Sequence, residues 1–440
     1  MFSKPIFYGW WIAITALVVN AILSAPSFGS AGLWIESLES EYGWSRTQLS
    51  IAFSLGQLEA SIAAPLVGYL IDRFGGKRIS MLGAFVAIFG FLSLSLTIPI
   101  TDSRENWLDP GIFYISYIMI MTGSTLSGWI PMTVIINNWF NKNRSLAMSI
   151  GSIGFSVGTF LLVPLYAYLI NPDLLGWRYT SILIAFMMPG VILLVGMIVK
   201  NNPEEIGLLP DGKVNDPDPL LADEKNVIRN IKTSTKDTDF TIKEALMEKS
   251  FWLIALGHGA SAMLTSTMMV HIILAFNDQG LSLQVAATLW GVAMGIGGVS
   301  QLLGGILGDR YPKRHLICVF GIIQSLGVWM GSYVSTVGLG LIFAFVYGLG
   351  FGARAPITTA MRGEYFGRTS FGKIMGVSTL PMMTMSIVTP VVAGRFYDSQ
   401  GNYSDAFLYI AIAGALGSLF FPFAKKPIHP SQLNQSKITL

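Results

Sequence analysis

A chain of 440 residues in which 12% of side chains are charged and 52% are apolar has too little charge to cover the surface of two or three soluble domains. Its net charge of +3 means little by itself, where the positive charge sits meaning far more, and no nucleic acid is expected as a partner. The single cysteine, Cys318, has no partner for an internal disulfide and says nothing about redox compartment.

The charges gather into short clusters, and the apolar runs between them are about 20 residues long, enough to cross a hydrocarbon core of roughly 30 Å. Twelve such runs are predicted, all helical, because backbone polar groups in lipid must be satisfied within their own segment. The first, 8–34, follows a lysine-bearing start and is too long for a cleavable signal core. It carries Asn20, a candidate for the wall of a central cavity, and Ser24, Ser27 and Ser30, of which the last two suit tight packing.

The second span, 47–71, carries Glu59, roughly 20 Å along the helix from the membrane edge at Asp72. A carboxylate at that depth is costly and therefore a functional candidate: unpaired it can carry a proton, and paired with a cation it is structural. The loop to the third span, 78–99, reads Gly68-x-x-x-Asp72-Arg73-Phe74-Gly75-Gly76-Lys77-Arg78. Gly75 and Gly76 permit a tight turn, Asp72 can cap or pair at the membrane edge, and Gly68 lets a neighbouring helix approach. The fourth span, 111–138, offers Tyr117, Ser124, Trp129 and Asn137 as further cavity candidates. The fifth and sixth are 145–170 and 177–199.

Residues 201–249 are polar, with Asp216-Pro217-Asp218-Pro219 among them, and read as a partly disordered linker. The chain thus divides into a first half, 1–200, the linker, a second half, 250–426, and a tail, 427–440. The seventh span, 251–276, holds His258 and His271. Neither has metal-ligand spacing to other His, Cys or acidic residues, and His258 is a candidate proton group or a hydrogen-bonded structural one. The eighth, 283–308, has no charge and ends in Gly305-x-x-x-Asp309-Arg310-Tyr311-Pro312-Lys313-Arg314, an echo of the first loop 237 residues later. The same offset carries Gly43-Trp44-Ser45 onto Gly280-Leu281-Ser282, so the halves are an internal repeat. The ninth span is 315–336. The tenth, 338–361, contains Arg354 between Gly348, Gly350, Gly352 and Pro356, near the midplane. A guanidinium there stays charged and grips a carboxylate with two parallel bonds, or is a structural cation paired with Glu59. Spans 371–394 and 404–424 complete the set.

With a cytoplasmic N-terminus, 23 of the 28 Lys and Arg fall on the cytoplasmic side and four on the other, with Arg354 inside a span. That bias supports twelve spans with both termini inside.

The first loop matches, at every defined position, the signature between helices 2 and 3 of the major facilitator superfamily. Tyr8-Gly9-Trp10, Tyr42-Gly43-Trp44-Ser45-Arg46, Trp139-Phe140 with Arg144-x-x-Ala147, Gly176-Trp177-Arg178 and the stretch from Pro203 to Gly212 together resemble the branch of bacterial monocarboxylate transporters and oxalate/formate antiporters. The resemblance implies an all-α membrane fold of two pseudo-symmetric six-helix halves and a cavity lined mainly by spans 1, 4, 7 and 10. It also implies alternating access and a gating role for the loop residues from Gly68 to Arg78 and for Gly305, Asp309 and Arg310. Where that branch often carries an Asp and an Arg in span 8, this chain carries neither. No Gly-x-x-x-x-Gly-Lys-[Ser/Thr] loop occurs, so the expected activity is secondary transport without bound nucleotide or other cofactor. The expected substrate is a small, monocarboxylate-like organic anion, with proton coupling as an open option, with Arg354, Asn20, Tyr117 and Ser124 as candidate binding residues and Glu59 and His258 as candidate proton groups. Export of a neutral or drug-like metabolite, or a sensor built on a transporter fold, are the alternatives. No enzyme active-site spacing and no metal site is expected. The expected setting is a bacterial plasma membrane, with the protein working as a monomer.

Overall fold

A computed structural model describes residues 7–101, 105–140, 144–212, 240–366 and 371–429. The middle of the linker, including Asp216 to Pro219, and the side chains of Asp72 and Asp309 lie outside the described residues.

Every regular element among the described residues is helical. Eleven segments are long and apolar enough to cross a membrane by length and composition alone. The twelfth, span 2 (Arg46–Phe74), is a 29-residue helix that carries Gln48, Gln57, Glu59 and three serines. Span 1 is Gly9–Tyr42, span 3 Gly76–Ser95, span 4 Gly111–Trp139, and span 6 Gly176–Ile198. Span 5 is Arg144–Leu169. In the second half, span 7 is Lys249–Asp278, span 8 Leu283–Arg310, span 9 Lys313–Tyr333 and span 10 Val337–Phe366. Span 11 breaks once, between Phe371–Ser378 and Leu380–Gln400, and span 12 is Ser404–Phe423.

The repeat survives in local structure. Gly43 and Gly280 both take positive φ, 69° and 93°, which glycine adopts without a Cβ penalty. Two residues on, Ser45 and Ser282 accept backbone N–H bonds and start spans 2 and 8. Gly75, at φ 83°, makes the tight turn into span 3, and a methyl there would also lie 2.9 Å from the Asn201 amide. The reading of Gly68 and Gly305 as close-approach points is corrected. A methyl at either would meet no described atom within 4 Å, because these faces of spans 2 and 8 have no neighbouring backbone against them.

The helices pack in matching pairs. Span 1 lies on span 5, span 2 on span 4, and span 3 on spans 4 and 6; likewise 7 lies on 11, 8 on 10, and 9 on 10 and 12. Between the halves, span 2 meets span 11 and span 5 meets span 8, which are equivalent under the repeat, and span 1 meets span 7. Spans 8 and 10 touch backbone to backbone: a methyl at Gly352 would sit 1.9 Å from the Gly297 carbonyl oxygen, and one at Gly304 2.1 Å from that of Ala353.

The halves are sealed at the face that carries the Gly43 and Gly280 turns, called here the far face; the opposite one, with the Gly75 turn, is the loop face. Arg46, 3% exposed, begins span 2 and reaches into the other half. Its guanidinium donates to both Asp278 oxygens (2.5 and 2.9 Å), to Glu39 (2.7 Å) and to the Tyr403 hydroxyl (3.1 Å), and lies 3.7 Å over the Tyr397 ring. Asp398 of span 11 accepts from the backbone N–H groups of Arg46 (3.1 Å) and Thr47 (3.0 Å) and from the Thr47 hydroxyl, so a residue of one half caps a helix of the other. His271 is buried behind this cluster, bonded to Tyr403 and to the Pro390 carbonyl.

The two ends of the linker are ordered. Asn201 accepts from the Lys77 backbone N–H (2.9 Å), and Lys77 Nζ donates to the Gly196 carbonyl (2.5 Å). At the other end Phe240 donates to the Phe366 carbonyl (3.2 Å), and a Thr241–Glu244 capping box starts the short helix Ile242–Met247.

Candidate substrate cavity

Two helices open where the cavity forms. Span 1 passes through a π-helical turn at Ala25–Gly29, with Pro26 in it. The carbonyls it frees are taken by the Trp34 indole, at Pro26 (2.8 Å), and by the Tyr117 hydroxyl, at Ser27 (2.5 Å). Span 4 breaks at Gly128, between Ser127 and Trp129. A cavity of about 500 Å³ lies between the halves. Spans 1, 4, 7 and 10 line it as expected, and spans 2, 5 and 11 add Gln57, Phe155, Met382 and Ser386. Its walls are largely aromatic and aliphatic, with Phe28, Trp129, Phe155 and Phe351 prominent. Among the described lining residues there is one cation, Arg354, and no carboxylate.

Arg354 is 4% exposed. Its Nε donates to Gln324 Oε1 (3.1 Å), and Gln324 in turn donates to the Thr265 hydroxyl (3.1 Å). Arg354 Nη1 is buried with no partner. No described carboxylate lies within ion-pair distance of it, so the alternative of an Arg354–Glu59 pair is absent from this structure. Glu59 instead lies toward Thr122 of span 4, whose hydroxyl donates to the Ile118 carbonyl, and its Oε2 is buried without a partner; it does not line the cavity.

The other expected residues separate. Ser124 lines the cavity, and its hydroxyl has no partner. Asn20 lines an adjoining space of about 300 Å³ with Ser124 and Trp129, while its amide donates to the Gly151 carbonyl (3.0 Å). Tyr117 is corrected as a binding residue: it is 2% exposed, lines neither space, and its hydroxyl is used to brace the π turn of span 1. His258 lines the cavity beside Arg354 and accepts at Nδ1 from Arg362 Nη2 (2.6 Å). Of the loop residues, Arg73 bonds Tyr69, and Arg78 and Arg310 are exposed.

Sequence reasoning missed two residues here. Gln324 is a polar amide midway along span 9, between Ile323 and Ser325. With span 10 read as 338–361, Arg362 falls among the cytoplasmic-side charges, yet the helix continues to Phe366 and Arg362 is 1% exposed. A cation inside the last turns of a 30-residue helix is the signal that was available.

A twelve-span bundle of two repeated halves around a cavity between them defines a membrane transporter. The family model described as Major Facilitator Superfamily matches residues 7–335 and 251–439, and the chain belongs to that superfamily. Human monocarboxylate transporter 11 is 26% identical over 418 residues, covering 91% of this chain and 79% of that protein. Monocarboxylate transporter 12 of Xenopus laevis is 20% identical, covering 95% and 89%. An agnestins efflux protein of the fungus Paecilomyces divaricatus is 22% identical, covering 82% and 74%. These relatives are eukaryotic and lend nothing to the expectation of a bacterial membrane. Among solved structures, a D-xylose–proton symporter superposes with a TM-score of 0.70 at 14% identity, covering 96% of this chain and all of that one.

Proposed function

We propose that the protein carries a small organic anion, a monocarboxylate with an apolar body, across the membrane by alternating access. The observation that carries this reading is the Arg354 guanidinium: buried at the cavity wall, with an unpartnered Nη1 and no carboxylate within reach. A buried charge without a partner costs several kcal/mol or more, and a bound carboxylate offsets that cost. The aromatic walls suit the rest of such a substrate. The relatives named monocarboxylate transporters support the same class. The far-face seal supports alternating access, since it shuts one side of a cavity that transport must open. Glu59, with an unpartnered buried oxygen, is the candidate for coupling to protons.

Uptake into proteoliposomes tests this with labelled lactate, pyruvate, benzoate and succinate, and with benzamide as the neutral counterpart of benzoate, with and without a pH gradient. A carboxylate should be carried and benzamide should not. Arg354→Gln should raise the half-saturation concentration about tenfold to a hundredfold, the weight of a charge-assisted hydrogen bond of about 1.5–3 kcal/mol. Arg354→Lys, which loses the two-bond fork, should fall between. Transport of none of the four acids, or equal transport by Arg354→Gln, overturns the reading. Charge bias assigns the loop face to the cytoplasm, so a cysteine at Glu204, exposed there, should react with an impermeant reagent only after permeabilisation.

A further inference from the structure

Arg362 is almost wholly buried and has no counter-ion among the described residues. Its Nε and Nη1 have no partner, and its one hydrogen bond, from Nη2, goes to His258 Nδ1 at 2.6 Å. Arg362 does not line the cavity; His258 does, beside Arg354. A guanidinium has donors only, so the Nδ1 atom it bonds must present its lone pair. The ring proton of a neutral imidazole is then on Nε2.

From this we propose that Arg362 is a positioning residue: it holds His258 in the Nε2–H tautomer, so that the imidazole and the Arg354 guanidinium together present only donors to a carboxylate in the cavity. The proposal rests on the anion reading of the cavity given above. It names the chemistry of that site more closely. An imidazole free to exchange tautomers could offer either a donor or a lone pair, and a lone pair facing a carboxylate repels it. With Nδ1 occupied from behind, that choice is removed. These two side chains favour an ionised carboxylate, whose oxygens only accept and whose charge they complement, over a neutral alcohol or amide. His258 thereby serves as a fixed donor rather than as the proton carrier. The second charge of Arg362 lies behind the ring, where it adds to the positive potential at the site without touching the substrate. The arrangement also accounts for a cation so near the end of span 10 being buried rather than left in the loop.

Two measurements test this. In protein labelled with ¹⁵N-histidine, the chain has four histidines, and the signals of His258 are assigned by their loss in His258→Ala. The ¹⁵N shifts should show the proton on Nε2; a proton on Nδ1, or a doubly protonated ring at neutral pH, overturns the proposal. This reading needs no variant of Arg362 to fold. The second is a mutant cycle on the half-saturation constant, using whichever of lactate, pyruvate, benzoate and succinate is carried best. His258→Ala and Arg362→Met should each raise it about tenfold, and the double variant should be no worse than either alone, because both act through one ring. Arg362→Lys, which keeps a donor for Nδ1, should recover most of the affinity. Losses that multiply mean that Arg362 touches the substrate itself, and an unchanged constant in Arg362→Met means that its role is structural; either result overturns the proposal. Failure of the underlying anion reading looks different: Arg354→Gln would then leave affinity unchanged, or none of the four acids would be carried.

Discussion

Asp109 sits in the loop between spans 3 and 4, only 1% exposed, and accepts from the Trp44 indole (2.6 Å) and from the backbone and hydroxyl of Thr101 (2.7 and 3.0 Å). Burial works to raise its carboxyl, but the bonds from Thr101, Trp44 and Ile100 outweigh it and hold the group below the usual carboxylate range. A carboxyl held lower in the folded state stabilises the fold fully above its unfolded value, about 3.9, and that stability is lost as pH falls through the folded value. Asp109→Asn should therefore lower stability by about 1.5–3 kcal/mol at pH 7, and thermal melts in detergent should show the gap closing below about pH 4. A gap that stays constant down to pH 3 would show that the charge of Asp109 is not what matters. At this scale the sequence disclosed some residues and hid others for one reason. Arg354 stood out because it interrupts an apolar run. Arg362 did not, because it lies among basic residues that mark a membrane edge, and only the continued helix reveals that it is inside. Gln324, through Arg354 and Thr265, and Asp109, through Trp44, bear on the site and the fold by bonds to distant parts of the chain, which no local pattern records.

The elements were legible to within a few residues, because their apolar length is set by the bilayer and their turns by glycine. What the apolar pattern did not convey is how far the helices continue beyond it. Span 10 runs through 30 residues, about 45 Å, and span 2 through 29, each carrying charged residues in its extensions. Nor did glycine by itself tell which helices touch. Gly68 and Gly305 have open space in front of them, whereas Gly352 and Gly304 are where spans 8 and 10 meet. Gly352→Ala should force these backbones apart, at about 1–3 kcal/mol by comparison with overpacked cores, and lower both melting temperature and folded yield. Gly305→Ala, with nothing within 4 Å, should melt as the wild type does. Equal tolerance at the two positions would mean that the contact between spans 8 and 10 is looser than described. The repeat also carries over at this scale only in part: the capping serines recur, but the second loop lacks the two glycines of the first.

For the molecule as a whole, the seal at the far face sets which side of the cavity is shut. It gathers one guanidinium, Asp278, Glu39, Asp398 and two tyrosines from both halves. Arg46 is buried but Asp278 and Glu39 are only partly so, and removing the cation leaves both carboxylates without it, so Arg46→Met should bias the protein toward opening there. Spin labels at Ser40 and Asn402, both exposed on that face, report it in a Cys318→Ser background. Wild type should give one short distance and Arg46→Met a longer population; identical distributions would remove the seal from the account. In sequence Arg46 stood out only within the Tyr42–Arg46 motif and as one of four basic residues on the less basic side, since its partners in the other half, Asp278 and Tyr403, lie hundreds of residues away. The cap that Asp398 places on span 2 has a consequence for how such proteins can be recombined. A hybrid that joins the first half of this chain to the second half of a relative keeps Glu39 but inherits Arg46 and Thr47 without their acceptors from the other half, unless the donor chain supplies carboxylates at the positions of Asp278 and Asp398. The two halves look like interchangeable modules, yet at this face they are fitted as a matched pair, and exchanges that respect the pair should outnumber working exchanges that split it.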